Sequence, residues 1–281
     1  MSFDKPDKGE RRIALAARVV LIAAMAVLLY PIVFVILTSL KATSEFYVNI
    51  WGLPSKWMFS NYAEAWIRGS MGQYFSNSIV VVCVTVTGTL LLGAMAGYAL
   101  SRFRIPCAEL IMLAIIACTM IPSEAVIMPE YLIISRMKMT GRLVSLILPY
   151  IGWSLPMAIF IFRNFFNTLP GELMEAAQID GCNEWTTFIK IAVPITLPAI
   201  ATNAIFIFVG TWGELLWATV ELASSIRKTL PIGVIAFSAQ FGTEWGPMSA
   251  AICIVLLPLV IFFLFTQKYF IGGLTGGAVK G

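Results

Sequence analysis

The carboxylates set in apolar sequence are the residues of this chain best able to do chemistry. Glu214 stands in "VGTWGELLWATV", beside Gly210, Trp212, Gly213 and Trp217, and Glu124 follows Pro122 in another apolar run. An ionised carboxylate in hydrocarbon is costly. It either faces a cavity or partner, where it could bind or relay a proton, or it sits where a helix ends at the membrane interface, among tryptophans. Glu214 is open to both readings. Other chemistries are removed by composition. The chain has no histidine, so H-E-x-x-H zinc sites, the Ser-His-Asp triad and histidine relays are excluded. No Gly-Lys dipeptide occurs, so no P-loop can form. Of five cysteines, Cys83, Cys118 and Cys253 fall in apolar runs and Cys107 and Cys182 in turns, and none makes a C-x-x-C pair. Neither a disulfide framework nor a thiolate metal site is expected.

These residues must be held by membrane helices. Hydrophobic residues are 59% of 281 and charged residues 12%, far from the balance of a soluble domain. Runs of about 20 apolar residues span a bilayer. Six occur: residues 19–40, 79–100, 110–128, 144–162, 195–220 and 248–265. The first has a basic start, like a secretory signal, but runs too long for one, so it is read as a retained helix, with Arg18 snorkelling at its start. The expected fold is all-α: a polytopic membrane protein of six transmembrane helices. A tail over 1–18 precedes the transmembrane domain at 19–266, and a second tail follows at 267–281. Lys5, Lys8, Arg11 and Arg12, with Arg102 and Arg104 in "SRFRIP", place the N-terminus and that turn in the cytoplasm. The C-terminus then lies inside, and the loops at 44–72 and 221–246 lie outside.

Within the spans, Gly93 and Gly97 form a G-x-x-x-G step with Thr89 one step earlier. Such spacing lets two backbones approach, here within one bundle rather than across a dimer. Pro122, Pro149, Pro156 and Pro258 interrupt spans; a proline frees a carbonyl, which favours a cavity lining. Pro149 and Pro156, which flank Gly152, Trp153 and Ser154, either line a cavity or only shape the bundle.

Between the fourth and fifth spans lies a polar hairpin, "LMEAAQIDGCNEWTTFIKIAVP". Pro170 suits a first helical position. Glu172 and Glu175 favour the positive end of the helix dipole. Gly181 is placed for a left-handed stop, Asn183 can cap a second helix, and Pro194 closes it. Ala176 and Ala177 form a shallow face flanked by Leu173 and Asp180. On physics alone the segment is either a connector or a knob for a groove on another protein.

The residues resemble a known pattern. Glu175-Ala176-Ala177, three residues, Gly181, nine residues, then Ile191-x-x-Pro194 is similar to the EAA motif of ABC importer permeases, with Val193 where the pattern has Leu. "LPYIGWSLPMAIFIFRNFFNTLPGELMEAAQIDG" and "QKYFIGGLTGGAVKG" resemble the MalG-type permeases of carbohydrate importers. "WGELLW" resembles their fifth span, although Gly213 stands where Asn is commoner. The likeness covers about Tyr30 to Gly281.

The resemblance implies a non-enzymatic permease subunit in the plasma membrane. It would pair with a second, MalF-like permease, sit on two ATPase subunits, and receive solute from an extracytoplasmic binding protein. ATP and Mg would be held by the ATPase subunits, not by this chain. The coupling segment, 164–194, would carry Glu175, Ala176, Ala177, Asp180, Gly181, Ile191 and Pro194 against an ATPase subunit. The tail at Gly277, Val279 and Lys280 would contact the ATPases, and the 221–246 loop would meet the binding protein. Transport would proceed by alternating access. Trp153, Asn203, Trp212 and Glu214 are candidates for the translocation path, since aromatic rings stack on sugars and amides bond hydroxyls; core packing is the competing role. The alternative is a secondary transporter driven through Glu214 or Glu124. A membrane-integral enzyme lacks a catalytic constellation.

Overall fold

The computed structural model describes residues 8–222, 224–242 and 244–278, with side chains between 14 and 267 except at 223, 241 and 243. All regular structure among them is helical. In chain order the helices are α1 (Lys8–Ser39), α2 (Thr43–Val48), α3 (Ser60–Arg68), α4 (Met71–Arg102), α5 (Ala108–Cys118), α6 (Ser123–Arg136), α7 (Val144–Asn167), α8 (Gly171–Ile179) and α9 (Glu184–Thr187). A π-turn at Phe188–Ala192 follows, then α10 (Val193–Ile195), α11 (Leu197–Trp212), α12 (Leu216–Leu222), α13 (Leu230–Phe241) and α14 (Trp245–Ala278). Four of these are long and apolar enough to cross a membrane, in α1, α4, α7 and α14; two bent pairs bring the count to six.

The bent pairs correct two expectations. The third span, read as one run over 110–128, is α5 and α6 at 94° to each other. Pro122 at the start of α6 lacks an amide hydrogen and disfavours helix in the residue before it. The fifth, read as 195–220, is a segment from Glu184 to Ile195 joined at 75° to α11, and α11 ends at Trp212. Pro194 does not close the second hairpin helix. The chain takes a π-turn instead, in which the Val193 amide donates to Phe188 O, and it breaks two residues beyond the proline, at Thr196. The 221–246 segment, read as a loop, contains the helix α13.

The chain divides into two compact units, residues 1–70 with 236–254, and 71–235 with 255–281. In the first, the end of α1 is stapled by side chains. Asn61 Nδ2 donates to Ser39 O and Lys41 O, both at 2.8 Å, and is buried. Lys41, also buried, donates its ammonium to Asn49 O and Ile50 O at 2.7 and 2.9 Å. These bonds satisfy carbonyls that the helix and loop leave open. Ser55 donates its amide and hydroxyl to Glu45 Oε1 at 2.5 and 2.8 Å, which holds that carboxyl below its usual range. Trp245 stacks on Phe46 with centroids 4.9 Å apart. Gly246 lies where a Cβ would crowd Lys41 O and come within 2.6 Å of Asn61 Nδ2.

In the second unit, α4 and α7 form the central pair. A Cβ on Gly93 would lie 3.0 Å from Ala158 Cβ, and one on Gly97 2.7 Å from Phe162 Cβ. The G-x-x-x-G step is therefore used inside the bundle. Arg163 pairs with Glu109 of α5. The start of α13 is tied to α4, where Ser78 Oγ accepts from the Leu230 amide at 2.9 Å and Asn77 donates to Lys228 O at 2.9 Å.

Asn61→Ala leaves two buried carbonyls without their donor, a loss of about 1–3 kcal/mol. The variant is expected to insert normally but to unfold at lower temperature in detergent, and Gly246→Val should do the same by crowding the same bonds.

Candidate functional site

The hairpin has the local geometry its residues ask for. Pro170 immediately precedes α8 with extended ψ, one position earlier than expected. Gly181 takes φ +80°. Cys182 N donates to Ala177 O at 2.9 Å and Gly181 N to Gln178 O at 3.0 Å, the paired bonds of a Schellman stop. Asn183 Oδ1 accepts from the Thr186 amide at 2.8 Å and caps α9.

One expectation about its surface is corrected. Ala176 is exposed but Ala177 is buried within this chain, at 3% exposure. The two successive alanines are about 100° apart on the helix, and the Ala177 side faces the bundle. The outer face therefore carries Glu172, Glu175, Ala176 and Ile179, at helical spacing, with Ile179 86% exposed and Asp180 exposed beyond it. Ile191 is half-buried on the π-turn and Pro194 is exposed.

Behind the hairpin is an aromatic core. Tyr98 of α4, Phe162 and Phe166 of α7, Leu169, and Phe188 and Ala192 of the π-turn are buried together, with Met174 of α8 against them. Tyr98 meets Phe166 edge-on at 5.3 Å and Phe188 at 5.0 Å. Arg102 Nη2 donates to Phe166 O and Leu169 O at 2.6 and 2.9 Å, fixing the exit from α7 to α4.

A second feature lies further back along α7. The bend between α5 and α6 opens a cavity of about 460 Å³ lined by Thr119, Pro122, Ser123, Glu124, Gly152, Trp153 and Pro156, among others. That volume is in the range of small-molecule sites, about 300–1,000 Å³. Hydroxyls, a carboxylate and an indole are the groups that would bond and stack on a polyhydroxylated solute. The two α7 prolines divide between the expected roles: Pro156 lines the cavity, whereas Pro149 is buried packing.

The other path candidates go elsewhere. Trp212 is 1% exposed, donates Nε1 to Val255 O at 3.0 Å and stacks on Phe208. Asn203 is buried and bonds the carbonyl one turn back, Ala199 O, at 3.1 Å. Glu214 falls in the break after α11. Its Oε1 accepts from the Trp217 amide at 2.8 Å, its Oε2 from the Ala218 amide at 3.0 Å, and the Tyr150 hydroxyl donates to it as well. The carboxylate caps α12, which resolves the two readings toward a helix terminus. Sequence reasoning passed over Glu130 and Glu221. Glu221 is 2% exposed, beside Ser145 and Gly141, and Glu130 lies beside Trp153 with its Oε2 buried. Both stand in apolar runs, as Glu214 does, and the same cost of burial pointed to them. Gly277 is described only as backbone of α14, and Val279 and Lys280 lie outside the described residues.

Residues 89–273 match the family described as binding-protein-dependent transport system inner membrane component. The chain belongs to that family. It is 32% identical over 252 residues to the probable ABC transporter permease protein YurM of Bacillus subtilis, covering 90% of this chain and 84% of that one. It is 30% identical over 274 residues to the diacetylchitobiose uptake system permease protein NgcG of Streptomyces coelicolor, covering 97% and 91%. It is 33% identical over 255 residues to the trehalose transport system permease protein SugB of Mycobacterium tuberculosis, covering 90% and 93%. Its fold matches a crystal structure of a bacterial ABC transporter involved in the import of the acidic polysaccharide alginate. The TM-score is 0.79 at 21% identity, over 95% of this chain and 99% of the other. The permease is thus an integral component of an importer that works with a binding protein.

The Glu214 geometry separates a cap from a proton carrier. Glu214→Gln keeps an acceptor oxygen and should retain most uptake. Glu214→Ala uncaps α12, at a cost of about 1–2 kcal/mol, and should lower thermal stability. If Glu214→Gln is stable but abolishes uptake in a vesicle assay, the carboxylate carries charge and the capping role is insufficient.

Proposed function

We propose that this chain is one of two permease subunits of an ATP-driven importer for a carbohydrate or carbohydrate-like solute. Support for the substrate class comes from the trehalose and diacetylchitobiose systems among the relatives and from the indole and hydroxyls lining the cavity at Trp153. The partners are a second, MalF-like permease, two ATPase subunits and an extracytoplasmic binding protein. ATP and Mg reside on the ATPases, and the termini of this chain lie in the cytoplasm.

The observation that carries the coupling role is the exposed face of α8 set on the buried aromatic core. Glu175, Ala176, Ile179 and Asp180 form the contact with the ATPase. Ala177, Gly181, Ile191 and Pro194 set its shape, and Gly277, Val279 and Lys280 add a second contact. A push on α8 reaches α7 through Leu169 and Phe166, both buried. From Phe166, α7 runs back to Pro156 and Trp153 at the cavity, about 15–20 Å along its axis. ATP can drive the cycle only by binding one of the two access states more favourably. The family match weighs against the secondary-transporter reading; of its two candidate carriers, Glu214 caps α12 and Glu124 lines the cavity.

Removing the buried area of an isoleucine forfeits about 1.5–3 kcal/mol, which lowers docking affinity roughly 10- to 150-fold. Ile179→Asp, at an exposed position, should therefore leave membrane levels normal while abolishing both uptake and co-purification of the ATPase. Ala177→Leu is the control: it overpacks this chain's own interior by about 1–3 kcal/mol and should lower membrane levels instead. Wild-type uptake and ATPase retention by Ile179→Asp would make the hairpin a connector.

Uptake into proteoliposomes holding all subunits should require ATP, and the purified chain alone should hydrolyse none. A cysteine at position 183, in a background free of other cysteines, should resist impermeant reagents from outside. Uptake that survives ATP depletion and collapses with an uncoupler would overturn the proposal.

A further inference from the structure

The segment between α1 and α4 carries apolar side chains that the first unit does not cover. Val48 is 90% exposed, Trp51 72%, Leu53 68%, Phe59 68% and Ile67 75%, with Trp57 half-exposed. A short loop between spans would be expected to be polar. This one instead follows the pattern of an interfacial element, in which tryptophans and aliphatics meet the headgroup–acyl boundary while charges stay in water. The charges fit: Lys56 is exposed, and Arg68 is paired with Glu64.

The position of Trp51 decides the depth. Its ring lies 5.4 Å from Phe34 and 6.1 Å from Tyr30, so the loop folds back along α1 instead of leaving it. Tyr30 and Phe34 are nine and five residues short of the end of α1 at Ser39, about 8–14 Å down the helix axis. The apolar part of α1, Ala14–Ser39, is 26 residues, about 39 Å of helix against a hydrocarbon core of about 30 Å. A centred span therefore puts Tyr30 and Phe34 within the outer part of the core, and Trp51 with them. Lys41 holds this fold-back in place, because its ammonium bonds the carbonyls of Asn49 and Ile50 just before Trp51.

We propose that residues 48–67 form an interfacial anchor that rests in the lipid leaflet at the C-terminal end of α1, with Trp51 reaching the acyl region. Under the topology given above this is the outer leaflet. The occupant of the exposed apolar surface is phospholipid. The anchor would fix the depth of the end of α1 against the bilayer, a function separate from coupling. It rests on the membrane reading alone, so its test does not depend on transport.

The test uses the assembled importer in liposomes with the native cysteines replaced. A single cysteine at Val48 or Ile67 carries a bimane label. Phospholipid bearing a nitroxide near the headgroup should quench most of the emission at both positions, and aqueous iodide should quench little. Quenching by iodide but not by the lipid nitroxide would place the segment in water and overturn the proposal. Quenching by neither would mean that protein covers it, which overturns the proposal equally. A label at Lys56 should remain accessible to iodide. Lys41→Met, which cannot bond the Asn49 and Ile50 carbonyls, should reduce the lipid quenching at Val48 while the subunits still co-purify.

Discussion

Close approach of α4 and α7 is the constraint on which the second unit depends. Gly93 and Gly97 leave no room for side chains against Ala158 and Phe162. In lipid, such contact is driven by dispersion and shape, because lipid tails are as apolar as leucine. The approach brings Tyr98 into the aromatic core behind the hairpin, and it brings Arg102 to the carbonyls of Phe166 and Leu169. A wider separation would remove both at once. α7 thus becomes a rigid rod with one end under α8 and its middle at the cavity. Pro149 and Pro156 do not break it: the helix is continuous from Val144 to Asn167.

Helix breaks elsewhere in this unit are handled by side chains, since the bilayer offers no water to unsatisfied backbone groups. Glu214 accepts from the amides at the start of α12, and the Tyr150 hydroxyl donates to its carboxylate. Trp217 reaches across to Ser145 O at 3.0 Å. The π-turn before Pro194 absorbs a register shift that the missing proline donor would otherwise leave as a gap. At the bend between α5 and α6 the side-chain bonds are only local, Thr119 Oγ1 donating to Ile116 O at 2.7 Å, and a cavity opens beside them. Thr119, Ser123 and Glu124 line the space that opens there, together with Gly152, Trp153 and Pro156 of α7. Irregular backbone at a polar cavity is the arrangement that membrane proteins tolerate at depth.

The first unit solves a different problem. The carbonyls at the end of α1 and in the following loop are bonded by Asn61 and Lys41, both buried. The same bonds give a short segment one definite shape, and Gly246 makes room for them. Polar staples inside and apolar side chains outside invert the usual pattern of a soluble loop. The inversion follows once lipid, not water, is the surrounding medium.

The sequence by itself determined the helical class, the approximate spans, the EAA spacing and the stops of α8. It did so because these depend on local rules: span length, a left-handed glycine, an asparagine cap. It also carried the family, through residues whose spacing no single helix requires. Tertiary structure decided the rest. Two spans are bent, because a proline announces a break without saying how far the chain turns. Ala177 faces inward and Ile179 outward, because a nine-residue helix with apolar side chains on several sides fixes its rotation only when a core is present. Trp153 is a cavity wall because the bend between α5 and α6 is brought against α7, and Glu214, which caps amides three and four residues on, is held by Tyr150, 64 positions away. Such partners meet only when the helices pack.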